Sequence, residues 1–121
     1  MRKHQRLQVW KEAIDLVEQV YRLTAHFPAD ERYGLSSQMR RAAVAIPSNL
    51  SEGAARSSRR EFVRYLEVAR SSPVEIETQV VIARRLAIAP EDVNLDASLE
   101  RVFARLSALM KVISAKAAKA T

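Results

Sequence analysis

Six arginines carry the clearest chemistry in this sequence: Arg40, Arg41, Arg56, Arg59, Arg60 and Arg64. A guanidinium is planar, stays charged and donates two parallel hydrogen bonds to a phosphate or carboxylate. Arg56, Arg59 and Arg60 fall where a helix is expected to begin, and free backbone N–H groups there already favour an anion. The competing reading is local pairing, of Arg41 with Glu52 or a neighbouring chain and of Arg64 with Glu61 or Glu67. Arg41 is assigned to such a pair. Arg40, Arg56, Arg59, Arg60 and Arg64 are the expected nucleic-acid contacts.

Catalytic and metal constellations do not emerge. His4 and His26 stand alone near segment ends, no metal-ligand spacing occurs, and two distant glycines make no phosphate-cradling loop. Glu52 near Arg41 reads as a structural ion pair rather than an acid catalyst. The expectation is a protein that is not an enzyme and needs no cofactor or metal. Recognition-helix geometry, zinc-finger spacing and an aromatic base-stacking cluster are also missing from the pattern, so any nucleic-acid binding should tolerate sequence. Trp10, Tyr21 and Tyr65 lie on apolar faces and read as core or interface anchors.

The elements that must position these residues are helical. With 121 residues the chain suits one domain, and 48% apolar residues against only two glycines favour helices over a turn-rich β fold. No cysteine is present for a disulfide or thiolate site. The start lacks the apolar run of a signal peptide and no stretch reaches the length of a membrane span, so a soluble, cytoplasmic protein is expected. The net charge of +6 is blocked, with residues 1–11, 40–70 and 101–121 positive and the stretches between them negative. Blocks strengthen local fields, as either solvated faces or a polyanion-binding surface would require.

Four amphipathic segments follow, at about 8–24, 35–54, 58–88 and 92–116. They predict an all-α antiparallel up-down four-helix bundle. The first segment ends at Phe27-Pro28, because a residue before proline avoids the α region. Its apolar arc covers about half the cylinder, more than the ~100° of one core face. The surplus seam of Val9, Leu16 and Leu23 therefore suggests a second copy. Asp30 can cap a short turn and Gly34 can take a left-handed conformation.

The second segment puts Leu35, Met39, Ala42, Ala43, Ile46, Leu50 and Gly53 on a core stripe, with Gln38, Arg41, Asn49 and Glu52 on an adjacent polar seam. Pro47 should kink it while projecting away from the core. Ser58 and Glu61 form a capping box at the third start. Phe62, Leu66, Ala69, Pro73, Ile76, Val80, Ala83 and Ala87 then keep a heptad seam, which favours a bend over a break at Pro73. In the fourth, Leu95, Leu99, Val102, Phe103, Leu106, Leu109, Met110 and Ile113 form the stripe, with Asp96 as a possible cap and a frayed end after Lys116.

Several of these residues also carry a resemblance. They are Val9-Trp10, Ala13 and Leu16; Phe27-Pro28 with Glu31 and Tyr33-Gly34-Leu35; Gln38, Arg40-Arg41-Ala42-Ala43, Ile46-Pro47-Ser48-Asn49, Glu52-Gly53 and Arg56; then Glu61-Phe62, Tyr65-Leu66 and Ala69-Arg70. On them the sequence resembles the four-helix-bundle proteins encoded in intervening sequences of bacterial 23S ribosomal RNA genes. More distantly it is similar to the accessory variability determinant of diversity-generating retroelements. Ala45, Ala55 and Ser71-Ser72-Pro73 depart from the family pattern of serine, glycine and Gly-Ser-Leu. The resemblance implies a basic, ring-like homopentamer. Through the retroelement relatives it also implies nucleic-acid binding and a reverse transcriptase as partner protein. Two functions remain open: a nucleic-acid-binding accessory protein, and an oligomeric protein-interaction scaffold with no nucleic-acid role.

Overall fold

A computed structural model describes residues 7–119, and His4 with the rest of the basic start lies outside them. Four helices make up the described chain: α1 (Gln8–Thr24), α2 (Leu35–Ala55), α3 (Arg59–Arg85) and α4 (Val93–Lys119), with a 3-10 turn at Ala29–Glu31. No strand occurs among the described residues. Each helix packs on its chain neighbours and α4 closes back on α1, while among the described residues the backbones of the diagonal pairs stay farther apart. That closed ring of contacts is a four-helix bundle.

The bundle's core is aliphatic and draws on every helix. Leu16, Ile46, Leu66 and Leu106 are all fully buried, and burying one such side chain contributes about 1.5–3 kcal/mol. Polar pairs fix which residues meet. Trp10 Nε1 donates to Ser51 Oγ at 3.0 Å, and Arg40 Nε to Thr24 Oγ1 at 2.7 Å, so partners descend through α2 as they ascend through α1. Arg70 with Ser107 and Arg84 with Asp96 do the same for α3 and α4.

Val9, Leu16 and Leu23 are buried inside the single chain. A helix in a four-membered ring faces two neighbours, here α2 and α4, and a half-cylinder of apolar residues is what that requires. The surplus that suggested a second copy is consumed within the chain. Pro47 is buried rather than outward-facing. Pro73 is fully buried, and α3 runs unbroken through it.

Helix ends follow local chemistry, with some departures from expectation. Ser58 Oγ accepts from the Glu61 N–H at 3.3 Å, the first half of the expected capping box. Asp92, not Asp96, caps α4 by accepting from the Leu95 N–H at 3.0 Å, and α4 continues to Lys119. Asp96 instead accepts from Arg84. Asp30 lies inside the 3-10 turn instead of capping it, and Gly34 has a φ of −106° rather than a left-handed one.

The left-handed residue is Ala87, at φ 58°. Its N–H reaches the Arg84 carbonyl and the Ile88 N–H reaches the Ala83 carbonyl, each at 3.0 Å. Those two bonds define a Schellman ending, so α3 stops at Arg85 and leaves Ala87 exposed outside it. Phe103, expected in the α4 stripe, is 37% exposed.

Candidate nucleic-acid interface

Gly53 sets the geometry of the candidate site. A methyl group there would lie 2.7 Å from Tyr65 Cβ and 2.9 Å from Phe62 Cδ1, well inside carbon–carbon contact distance. Only hydrogen at this position lets the end of α2 approach the first turns of α3. The approach brings Asn49 and Arg56, from the end of α2 and the link beyond it, against Tyr65. Asn49, Arg56, Glu61, Arg64, Tyr65 and Val68 line one shallow pocket.

Within it, Arg56 Nη2 donates to the Tyr65 hydroxyl at 2.6 Å, and the guanidinium carbon sits 5.0 Å from the ring centre. That cation–π contact holds both side chains in place. Asn49 Nδ2 donates to the Ala45 carbonyl at 2.7 Å, which leaves the amide oxygen as an acceptor.

Beside the pocket, an open groove runs between the start of α3 and the end of α4. Ser58, Arg59, Arg60, Arg64 and Glu67 line one side, and Ser114, Ala117 and Ala118 line the other. Arg59, Arg60 and Arg64 are exposed. Among the described residues none of the three has a hydrogen-bond or ion-pair partner, and the local pairing of Arg64 with Glu61 or Glu67 does not form. Lys116 and Lys119 flank the groove on the last turn of α4, with Lys111 earlier on the same helix. The first N–H groups of α3 add their share of the helix dipole.

Arg40 lies elsewhere. It donates to Thr24 Oγ1 and, at 3.3 Å, to the Tyr21 carbonyl, and its guanidinium stacks 4.4 Å from the Tyr21 ring centre. It thereby adds a bond to a carbonyl at the end of α1 that already accepts from the Ala25 N–H, and it does not join the cluster. Arg41 bonds Ser37 Oγ at 3.4 Å, and among the described residues no ion pair links it to Glu52. Gln38, Arg41 and Glu52 are exposed; of the expected polar seam, only Asn49 reaches the pocket.

The apolar neighbours of Tyr65 in sequence point to an anchor. The signal for its second role is the Arg56 to Tyr65 separation, which brings the residue that caps the end of α2 over the second turn of α3.

Other charges are held in structural pairs. Arg101 and Arg105 of α4 both reach Glu12 of α1, whose side chain is 11% exposed. Arg84 joins Glu91, Asp96 and the Pro90 carbonyl at the α3–α4 corner. Among the described residues no group of three or more His, Cys, Asp or Glu side chains could hold a metal ion, and no helix is long and apolar enough to cross a membrane.

Fold and surface together define a small all-α bundle protein that presents a cluster of unpaired arginines at one end. The chain belongs to the family of 23S rRNA-intervening sequence proteins, whose model matches residues 5–110. No curated protein matches the chain.

Proposed function

We propose that this protein is a nucleic-acid-binding accessory protein without catalytic activity, gripping the phosphate backbone through Arg59, Arg60 and Arg64 with Arg56 beside them. The observation that supports the reading is the exposure of the first three on one groove with no partner among the described residues. Arginines committed to structure are tied to carboxylates or rings elsewhere in the bundle; these three are not. Guanidinium groups spaced along a helix start suit successive phosphates and carry no base readout, so binding is sequence-tolerant.

Self-association belongs to the same reading, as the homopentamer that the resemblance implies. A ring would repeat the groove, and one polyanion reaching several weak sites gains avidity. The supporting face is the outer strip of α3. Ser71, Val74, Thr78, Val81 and Arg85 keep heptad spacing there, opposite the core seam, with Val74 47% and Val81 50% exposed.

The test is retention of duplex DNA across a salt series. Three neutralised phosphates per copy give a log–log slope of about −2.7. Arg59→Glu with Arg60→Glu should weaken unrelated sequences equally and flatten that slope, while helicity stays intact because both side chains point into solvent. A parent protein that retains neither RNA nor DNA at low salt would leave the protein-interaction scaffold as the better reading.

A further inference from the structure

The pocket beside the groove holds more than charge. Its volume is about 350 Å³, near the lower end of small-ligand sites, and its walls differ in kind. Tyr65 offers an aromatic face, Arg56 a planar cation already stacked on that ring, and Asn49 a fixed acceptor. Arg64 lines both the pocket and the groove, so the two are continuous through one side chain.

We propose that this pocket is a slot for a single unstacked nucleobase, which makes the protein prefer single-stranded nucleic acid over duplex. The inference rests on the nucleic-acid reading above and adds the form of the ligand. A base has a flat π-face that stacks on an aromatic ring or on the plane of an arginine. An N–H on its edge, the exocyclic amino group of adenine, guanine or cytosine or the ring N3–H of uracil or thymine, can donate to the Asn49 amide oxygen. Phosphates flanking that base then fall toward Arg64 and, further along, Arg59 and Arg60.

A base in a duplex is stacked between its neighbours and cannot enter without being extruded, which costs unpairing and unstacking. A single strand meets no such cost. Every base can stack, so sequence tolerance is retained.

The slot is built before any ligand arrives. Gly53 brings α2 against Tyr65 at the level of Cβ, which fixes where the ring starts. The Arg56 bond to the hydroxyl fixes where it ends. A preformed slot spares most of the ordering cost of binding. Arg40 over Tyr21 is committed to the end of α1, whereas Arg56 over Tyr65 opens onto the pocket; Arg70, 5.8 Å from the Phe103 ring centre, bonds Ser107 and lines a different hollow away from the groove arginines.

Fluorescence anisotropy tests this with one labelled twelve-nucleotide sequence as single-stranded RNA, single-stranded DNA and duplex DNA at equal salt. The parent should bind both single strands more tightly than the duplex. Tyr65→Leu should lower single-strand affinity by about 5- to 150-fold, the range for one stacked base, and leave the duplex within about twofold. Tyr65→Phe keeps the ring and should keep the preference. If Tyr65→Leu melts early, Asn49→Ala replaces it, removing an uncharged wall of the pocket, with a loss confined to the single strands expected. Equal affinity for single strand and duplex in the parent, or an equal loss on both in these variants, overturns the slot and leaves the phosphate-binding reading standing. Absence of all binding at low salt overturns both.

Discussion

Replacing Gly53 with alanine sets two effects of opposite sign against each other. In a helix interior alanine is favoured over glycine by about 0.8–1.0 kcal/mol, and Gly53 is helical within α2. Propensity alone therefore makes Gly53→Ala stabilising. The added methyl, however, would lie 2.7 Å from Tyr65 Cβ, about 1 Å inside normal carbon contact. Tyr65 Cβ is bonded to the α3 backbone and cannot swing aside. The Phe62 ring at 2.9 Å can rotate, but only one of the two clashes is relieved. Overpacking of a fitted site costs about 1–3 kcal/mol, and a clash against near-backbone atoms belongs in the upper part of that range. The net expectation is destabilisation of about 1–2 kcal/mol, a fall in melting temperature of roughly 4–8 °C for a domain of this size. Thermal melts by circular dichroism at fixed protein concentration read the sign. Gly34→Ala is the control, because its added carbon meets a movable carboxylate oxygen of Glu31 at negative φ; its effect should be much smaller. A melting temperature that rises in Gly53→Ala would refute the close approach of α2 and α3 on which the site depends.

Ala87→Gly should stabilise the fold by about 0.5–1 kcal/mol, since glycine occupies the left-handed region without the Cβ penalty that alanine meets at φ 58°; chemical denaturation at constant slope reads the gain. Val81→Glu should dissociate the proposed assembly while leaving the circular dichroism helical, as judged by sedimentation equilibrium. Leu16→Glu should instead unfold the chain, because that side chain has no exposed surface; a folded, dissociated Leu16→Glu protein would restore Val9, Leu16 and Leu23 as the contact between copies.

Local signals located the helices well. Phe27-Pro28 forbade α1 from continuing, and Ser58 with Glu61 marked where α3 starts. The core stripe of α2 emerged because a 3.6-residue period depends only on local geometry. Errors arose where the deciding partner was distant in sequence or where two physical causes leave the same pattern. The wide arc of α1 fits either a second copy or two neighbours in one chain, and periodicity does not distinguish them. The seam of α3 continues in sequence through Ala87, yet the chain turns at Leu86 without the glycine that usually announces such an ending. Asp96 sits where a cap could be, but Arg84 claims it across the α3–α4 corner.

The candidate site shows why counting charges overstates a binding surface. Net charge and blocks treat all arginines as equal, whereas the fold divides them by partner. Arg22, Arg84, Arg101 and Arg105 face carboxylates, and Arg40 is fastened to the end of α1. An exposed ion pair contributes little to stability, but it does lower the local field that a polyanion meets. Arg59, Arg60 and Arg64 keep theirs, beside Lys116 and Lys119, so attraction should concentrate at one end of the bundle. A salt slope measured on the parent protein carries this argument. A value near −2.7 per copy points to the three groove arginines, and a much steeper one means that further cations, Lys116 and Lys119 first, join the contact.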